Sequence, residues 1–460
     1  MVIWLLGWQN KSETGRIGLA FMITDTFLRI EPKVSVTMEV ALVERPDRHD
    51  HELGRAGTAG GGHGGWRARR SAWIMQGHRG RQRPAVWVRS GMGDVGVPGV
   101  ENTAGLAQWI RENDLPGAGE DLTVELIAGG RSNLTYRLEF RPPGQAAADG
   151  ALARRLVLRR PPLGHVLPTA HDMGREYRVL SALHGTAVPV ARPVALCPDT
   201  EVIGAPFYLM EWVDGVVFRT SEDARQLTPP QAGRICEEFA GMLATIHGLD
   251  VGAVGLDDFG KPAGYMARQL ARWQRQWELS VTREMPGYAK LVSRLAEGLP
   301  AEGGPAAPGA GGSAGTLVHG DFRIDNMLIR PDPEPAIAAV VDWEMSTLGD
   351  PLADLGLSLV YWTEAGEEDL LPLGAGASVT TGPGFLTRDQ IAARYAELTG
   401  RDLSRLDYYM AFGCFKLAVV LEGIHARFLQ HKTVGEGFER EGQAVATLIG
   451  RAHQFLDAGG

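Results

Sequence analysis

Asp321, Asn326 and Asp342 are the residues of this chain on which chemistry can be built. The first two stand in the run His319-Gly320-Asp321-Phe322-Arg323-Ile324-Asp325-Asn326, and the third in Val340-Val341-Asp342-Trp343-Glu344. An acid, an amide five residues on and a second acid downstream is the order that phosphoryl transfer uses. One carboxylate accepts the proton of the attacking hydroxyl, and an amide and a carboxylate hold magnesium on the nucleotide phosphates. Asp321 is therefore the expected proton acceptor, and Asn326 and Asp342 the expected magnesium ligands. Magnesium keeps water and phosphate oxygens in its shell, so few protein ligands suffice. The bland alternative for Asp321, a loop aspartate capping a turn, leaves the downstream half of the pattern unexplained.

Other polar residues of these runs have two readings each. Arg323 either neutralises charge on the transferring phosphoryl group or pairs with Asp325. Asp325 and Glu344 either support the ligands from behind or face solvent. His319 is expected to fix the loop by hydrogen bonds. Asp350-Pro351, with Asp354 behind it, reads as a helix start, Asp350 as cap and Pro351 in the first turn.

A smaller set of elements must hold the nucleotide from the other side. Leu122, Val124 and Leu126 alternate as a strand does, Gly129-Gly130-Arg131-Ser132-Asn133 makes a turn, and Thr135 to Phe140 resumes the strand pattern. Backbone N–H groups of that turn, Gly130 among them, with the Ser132 and Asn133 side chains, can cover phosphates. Leu156 to Arg159 is a third strand, and a helix over about 172–184 carries Glu176. Arg159 is the expected phosphate-positioning cation and Glu176 its ion-pair partner, with Arg160 as the rival. Alternation lets only one of the two arginines face the cleft. Two further strands follow, around Val194 and over 207–212. Met210-Glu211-Trp212-Val213 is the expected connection between lobes, where an adenine would meet backbone.

Beyond Asp214 the periodicity becomes helical, with Thr228 and Pro229 starting one helix and further helices over about 389–397, 407–430 and 438–457. The expected fold is α+β and bilobal: a small antiparallel sheet lobe over 105–213 and a larger helical lobe over 214–460. One helix near Tyr265 carries Arg268, Arg272 and Arg275 on one side, with Arg283 beyond, and Met266, Leu270, Trp273 and Trp277 on another. A basic face repels a polycationic acceptor and suits phosphates, while an apolar face suits an acyl chain. The alternative is an ordinary helix with a tryptophan core face and a solvated arginine face.

The bulk properties bound the rest. The 460 residues carry a net charge of -9 and are 44% hydrophobic, which fits a globular protein and excludes a bulk nucleic-acid binder. No stretch was expected to reach the ~20 apolar residues of a membrane span. The apolar start, Met1 to Trp8, is short and lacks a basic flank, so no signal peptide is expected. Cys197, Cys236 and Cys414 are far apart and read as small buried hydrophobes in a reducing cytoplasm. Residues 1–91, with a glycine-rich tract over 60–65 and an Arg/Gly-rich one over 66–83, show no period. They read either as a disordered basic arm or as an extension upstream of a true start at Met92. A Gly/Ala/Pro-rich loop is expected over 303–315.

Taken together, Gly130 to Tyr136, Val157-Leu158-Arg159, Val318 to Asn326 and the run Asp342-Trp343-Glu344-Met345-Ser346-Thr347-Leu348-Gly349-Asp350-Pro351-Leu352-Ala353-Asp354 resemble the aminoglycoside-phosphotransferase-like kinases, a group that includes the choline kinases. The resemblance runs from about Gly105 to the C-terminus and is strongest to the kinase-like domain associated with acyl-CoA dehydrogenases. It implies the protein-kinase-like fold, ATP and magnesium. It further implies phosphorylation of a substrate hydroxyl, on a hydroxyacyl-CoA or related acyl metabolite, preparing it for elimination. A separate acyl-CoA dehydrogenase would then be a functional partner. Two other functions remain open on sequence: an aminoglycoside or macrolide kinase, and a catalytically silent kinase fold that binds nucleotide or acyl-CoA.

Overall fold

The computed structural model describes residues 97–127, 133–143, 154–163, 171–300, 315–331, 333–367, 378–430 and 438–459. The expectations for residues 1–91, for Gly130 and Ser132, and for nearly all of the 303–315 loop fall outside that set.

The first lobe is a five-stranded sheet in the order β1-β2-β3-β5-β4, every neighbour antiparallel. Its strands are β1 (Asp121–Leu126), β2 (Leu134–Arg141), β3 (Arg154–Arg160), β4 (Pro193–Cys197) and β5 (Phe207–Glu211). Each face has its own helix. Helix α1 (Thr103–Glu112), capped by Asn102, packs Leu106 and Ile110 with Tyr136, Leu138, Phe140, Leu156 and Leu158. Helix α2 (Met173–Leu183), capped by Asp172, packs Val179, Leu180 and Leu183 on the opposite face with Tyr208.

That arrangement decides between the two arginines. Side chains of β3 alternate, so Leu156, Leu158 and Arg160 face α1 while Arg159 faces α2 with Tyr208 and Thr135, its partners in register. Arg160 is buried, its guanidinium satisfied by the carbonyls of Gly99, Pro161 and Ile203.

The second lobe is mostly helical. It contains α3 (Ser221–Ala224), α4 (Pro229–His247), α5 (Tyr265–Ser280), α6 (Tyr288–Glu297), α7 (Pro351–Tyr361), α8 (Arg388–Thr399), α9 (Leu406–Leu429) and α10 (Phe438–Ala458). Reciprocal caps start α4, where Thr228 pairs with Gln231, and α8, where Thr387 pairs with Gln390. Asp350 caps α7, with Pro351 in its first turn. Helix α9 is the axis of the lobe, packed by α7, α10 and α5. It is long and apolar enough to cross a membrane, contrary to the expectation that no segment would be, and most of it is buried inside the fold. A core helix lined on all sides reads like a span because both are apolar all round. Cys197, Cys236 and Cys414 are free and buried, and burial pushes the thiols of Cys236 and Cys414 up to about 12.

Two short antiparallel pairs lie in this lobe: β6 (Thr316–Val318) with β9 (Thr347–Gly349), and β7 (Met327–Arg330) with β8 (Ala336–Val340). They position the site. The pairing of Met327 with Val340, extended by the Val341 N–H donating to the Asn326 carbonyl (3.0 Å), sets Asn326 and Asp342 at adjoining strand ends.

Candidate active site

The loop from β6 to β7 is held from behind by Asp354, in the first turn of α7. Its carboxylate accepts the backbone N–H groups of His319 (2.6 Å) and Gly320 (2.9 Å). On its other side stands His247 Nε2 at 3.3 Å, and His247 Nδ1 meets the Tyr395 hydroxyl at 2.7 Å. Burial pushes the Asp354 carboxyl up, but the hydrogen bonds from His247 and the loop N–H groups outweigh it and hold it below its usual value. Burial also pushes His247 down, which leaves it neutral, with Nε2–H donating to Asp354 and Nδ1 accepting from Tyr395. His319 completes the clamp: Nε2 bonds the Val341 carbonyl (3.0 Å) and Nδ1 accepts the Asp321 N–H (3.2 Å). Gly320 has φ +84, and a Cβ there would stand 2.7 Å from the Met345 carbonyl, so the loop admits only glycine at this point.

Asp321 emerges at the front of this clamp, its side chain 26% exposed. Asn326 Nδ2 donates to Asp321 Oδ2 (3.0 Å) and to its carbonyl (2.9 Å). The Tyr361 hydroxyl hydrogen-bonds the same carboxylate. Arg323 lies 3.4 Å from Asp321 and 3.0 Å from Asp325, its guanidinium 4.9 Å from the Tyr361 ring centre. Burial pushes the Asp325 carboxyl up to about 6, against the pull of Arg323.

Asp342 follows β8 in a left-handed conformation, φ +67, which costs a non-glycine residue free energy and is typical of functional sites. Arg159 Nη2 pairs with its Oδ1, and Arg159 Nε donates to Glu176 Oε2 at 3.0 Å. Asn133, almost wholly buried, reaches across to Glu344, Nδ2 to Oε2 at 2.9 Å, while its own Oδ1 is buried without a partner. Burial pushes Glu176 up to about 7; Arg159 pulls it down, and the nearby Asp342 and Glu344 push it further up. Asp342 is likewise raised by burial, against Arg159 and with help from Glu344 and Asp321. One guanidinium is thus shared among more negative charge than it balances.

The remaining expected residues are distributed unevenly. The Glu211 side chain pairs with Arg192 (2.5 Å), and its N–H is spent on the Arg192 carbonyl (2.8 Å). The Trp212 indole donates to Asp214 (2.8 Å) under the Arg155 guanidinium. The Val213 backbone makes no hydrogen bond within the described residues. On α5, Tyr265 packs its ring against Gly349, and Arg268 spends its guanidinium on the carbonyls of Lys261 and Ala263. Arg272 is exposed over the face of the buried Trp273 (5.4 Å). Lys416, Asp354, Tyr361 and His247 were not foreseen as parts of the site. Lys416 had one sequence signal, a single charge inside the apolar run from Phe412 to Val419. Its Nζ donates to the Gly320 carbonyl at 2.7 Å.

Comparisons with known proteins agree with this geometry. A family model described as the phosphotransferase enzyme family matches residues 123–388. A crystal structure from Ralstonia eutropha, of a protein named for the aminoglycoside phosphotransferases, superposes with a TM-score of 0.60 at 31% identity, covering 77% of this chain and 98% of that one. Mouse acyl-CoA dehydrogenase family member 10 is 33% identical over 327 residues, and rat family member 11 is 33% identical over 330 residues. Those matches take in 71% and 70% of this chain but only 28% and 39% of the relatives, so the chain spans well under half of their length. With the kinase-like bilobal α+β architecture and the matched residues enclosing every element of the cleft from β2 to α7, the chain belongs to the phosphotransferase enzyme family.

Proposed function

We propose that the protein transfers the γ-phosphoryl group of ATP to a hydroxyl of a hydroxyacyl-CoA or related acyl metabolite. The observation that carries the reading is the Asp321–Asn326 contact, Nδ2 to Oδ2 at 3.0 Å, at the front of a loop clamped by Asp354. It orients the Asp321 carboxylate for the incoming hydroxyl and turns the Asn326 amide oxygen toward other ligands. Asp321 orients the hydroxyl and takes its proton as the oxygen attacks in line. Arg323, fixed by Asp325 and Tyr361, offsets charge on the transferring group. Arg159 positions the phosphates, Glu176 positions Arg159, and Gly130, Ser132 and Asn133 would cover them, as their sequence pattern leads one to expect. Adenine stacks at the 211–213 connection, with Val213 as its backbone partner.

The donor set suits magnesium. The Asn326 Oδ1 and the Asp342 carboxylate are hard oxygen ligands on adjoining strand ends, and the surplus of negative charge around Arg159 calls for a cation before phosphates enter. Held by Asn326 and Asp342, magnesium would supply the positive charge that phosphoryl transfer needs.

The acyl acceptor is supported by the names of the relatives and by two cations, Lys416 on the Gly320 carbonyl and Arg272 on the same Trp273 ring, which disfavour a polycationic antibiotic. Phosphorylation turns a hydroxyl into a leaving group, so an elimination would follow, and a separate acyl-CoA dehydrogenase is the proposed functional partner. The test is incubation with ATP, magnesium and a panel of hydroxyacyl-CoAs, read by mass spectrometry for phosphorylated thioester. Turnover of an aminoglycoside or macrolide instead would sink the acyl reading. Tight ATP binding with no turnover of any alcohol would leave a nucleotide-binding module.

A further inference from the structure

Lys416 stands where an apolar residue would pack more cheaply. Its neighbours on α9, Phe412, Cys414, Phe415, Leu417 and Val419, are all buried. An ammonium among them costs free energy unless its charge is used. Burial pushes its pKa down, Asp321 and Asp354 pull against that, and Arg272 adds to the fall. Nζ spends one N–H on the Gly320 carbonyl, one residue from Asp321. Lys416 makes no ion pair among the described residues, so its other N–H groups have no acceptor there.

A second cation shares its surroundings. Lys416 Nζ and the Arg272 guanidinium each lie 5.4 Å from the centre of the Trp273 indole. The ring face attracts each of them, but the two like charges repel one another. Arg272 is exposed and has neither hydrogen bond nor ion pair among the described residues. The Trp273 indole N–H is buried and has no hydrogen-bond partner among the described residues. Ammonium, guanidinium and indole N–H are all donors, and among the described residues the Gly320 carbonyl is the one acceptor that any of them hydrogen-bonds. The indole N–H is buried and the ammonium half-buried, so donors left this way are costly, and an electron-rich oxygen brought by a ligand relieves the cost.

We propose that Lys416 and Arg272, gathered on Trp273, form an acyl-oxygen subsite that selects the acceptor. Lys416 donates to a carbonyl or carboxylate oxygen a few carbons from the hydroxyl that Asp321 receives, and the pair turns away amine-bearing acceptors. The inference rests on the kinase reading and adds to it the residues that read the acceptor. The oxygen belongs either to a thioester or to a free hydroxy acid, and the test separates them.

The experiment compares wild type with Lys416→Met, Lys416→Arg and Arg272→Gln on a hydroxyacyl-CoA, the matching free hydroxy acid and an amino alcohol of the same spacing. A hydrogen bond from a charged donor is worth roughly 10- to 100-fold in binding. Lys416→Met is therefore expected to raise KM for the acyl acceptor by about tenfold or more, with KM for ATP unchanged. The kcat/KM ratio should move toward the amino alcohol by a similar factor. Lys416→Arg should restore most of the preference, and Arg272→Gln should shift it in the same direction by less. A loss confined to the thioester, or to the free acid, identifies which oxygen the subsite holds. A fall in kcat shared equally by all acceptors, with the ratio unchanged, overturns the proposal and leaves Lys416 as a brace for Gly320. If Lys416→Met does not fold, an unchanged ratio in Arg272→Gln overturns it alone. If wild type binds ATP but phosphorylates none of the three, the kinase reading falls and the subsite falls with it.

Discussion

The two sides of the catalytic loop are built to opposite rules. Behind it, Asp354, His247, Tyr395 and His319 are buried, and each carboxylate oxygen and ring nitrogen meets a donor or acceptor within the chain. In front of it, Asp325 Oδ1 and Asn133 Oδ1 are buried without a hydrogen-bond partner among the described residues, and the carboxyls of Glu176, Asp325 and Asp342 are pushed up. Burial acts on both sides. What differs is whether hydrogen bonds to the charged form outweigh it, as they do at Asp354. The back is finished as a fold. The front is left short of positive charge and of donors, which is what a site that awaits metal and phosphate requires.

The largest effects test that division directly. Asp321→Ala should lower phosphoryl transfer by roughly 10²–10⁴-fold, while the thermal shift produced by ATP and magnesium is kept. Loss of nucleotide binding together with a collapsed melting temperature would make Asp321 part of the scaffold instead. Asp354→Ala should do what Asp321→Ala does not. It strands two buried backbone N–H groups and a histidine, so urea unfolding should report a loss of about 3–5 kcal/mol. A loss well under that would mean the clamp is not what holds the loop.

Much of the front was legible in the sequence and most of the back was not, for a physical reason. Catalytic residues lie close together along the chain, because a short loop carries Asp321, Arg323, Asp325 and Asn326. The clamp brings together His247, His319, Asp354 and Tyr395 from four separate elements; the motif runs marked His319 and Asp354, but no local spacing marks His247 or Tyr395. Periodicity and cap residues located β1, β2, β3, β5, α2, α4, α5 and α8 to α10 within a few residues. It missed β7 and β9, because three or four residues show no alternation, and α6, which is short. Alternation alone posed the choice between Arg159 and Arg160. The positions of α1 and α2 on opposite faces resolved it.

A smaller effect separates charge from packing at the front. Asp342→Asn keeps the shape of the residue and removes one of the carboxylates around Arg159. It loses a pair with Arg159 and also relieves repulsion from Glu344 and Asp321. Stability without metal should therefore change by about 1 kcal/mol or less. The magnesium-dependent rise in melting temperature with ATP should disappear. A destabilisation as large as that of Asp354→Ala would erase the distinction between the two sides.

The smallest expected effect is one of sign. Glu176 has a folded value of about 7, above its ordinary 4.5. Between those values the folded state holds the proton more firmly than the unfolded one, so the Glu176 contribution to stability falls as pH rises from about 5 to 7. Asp354 and His247 behave oppositely. Both have folded values held below the ordinary ones, so each contributes stability above its unfolded value that is lost as pH falls. Because His247 titrates in the same window, the wild-type profile mixes the two, and the informative quantity is the difference from Glu176→Gln. That variant should remove the downward component, so that its stability relative to wild type rises between pH 5 and 7 by on the order of 1 kcal/mol. Urea midpoints at each pH measure it. A flat difference would mean that Arg159 already balances Glu176, and that the front of the loop is as fully compensated as the back.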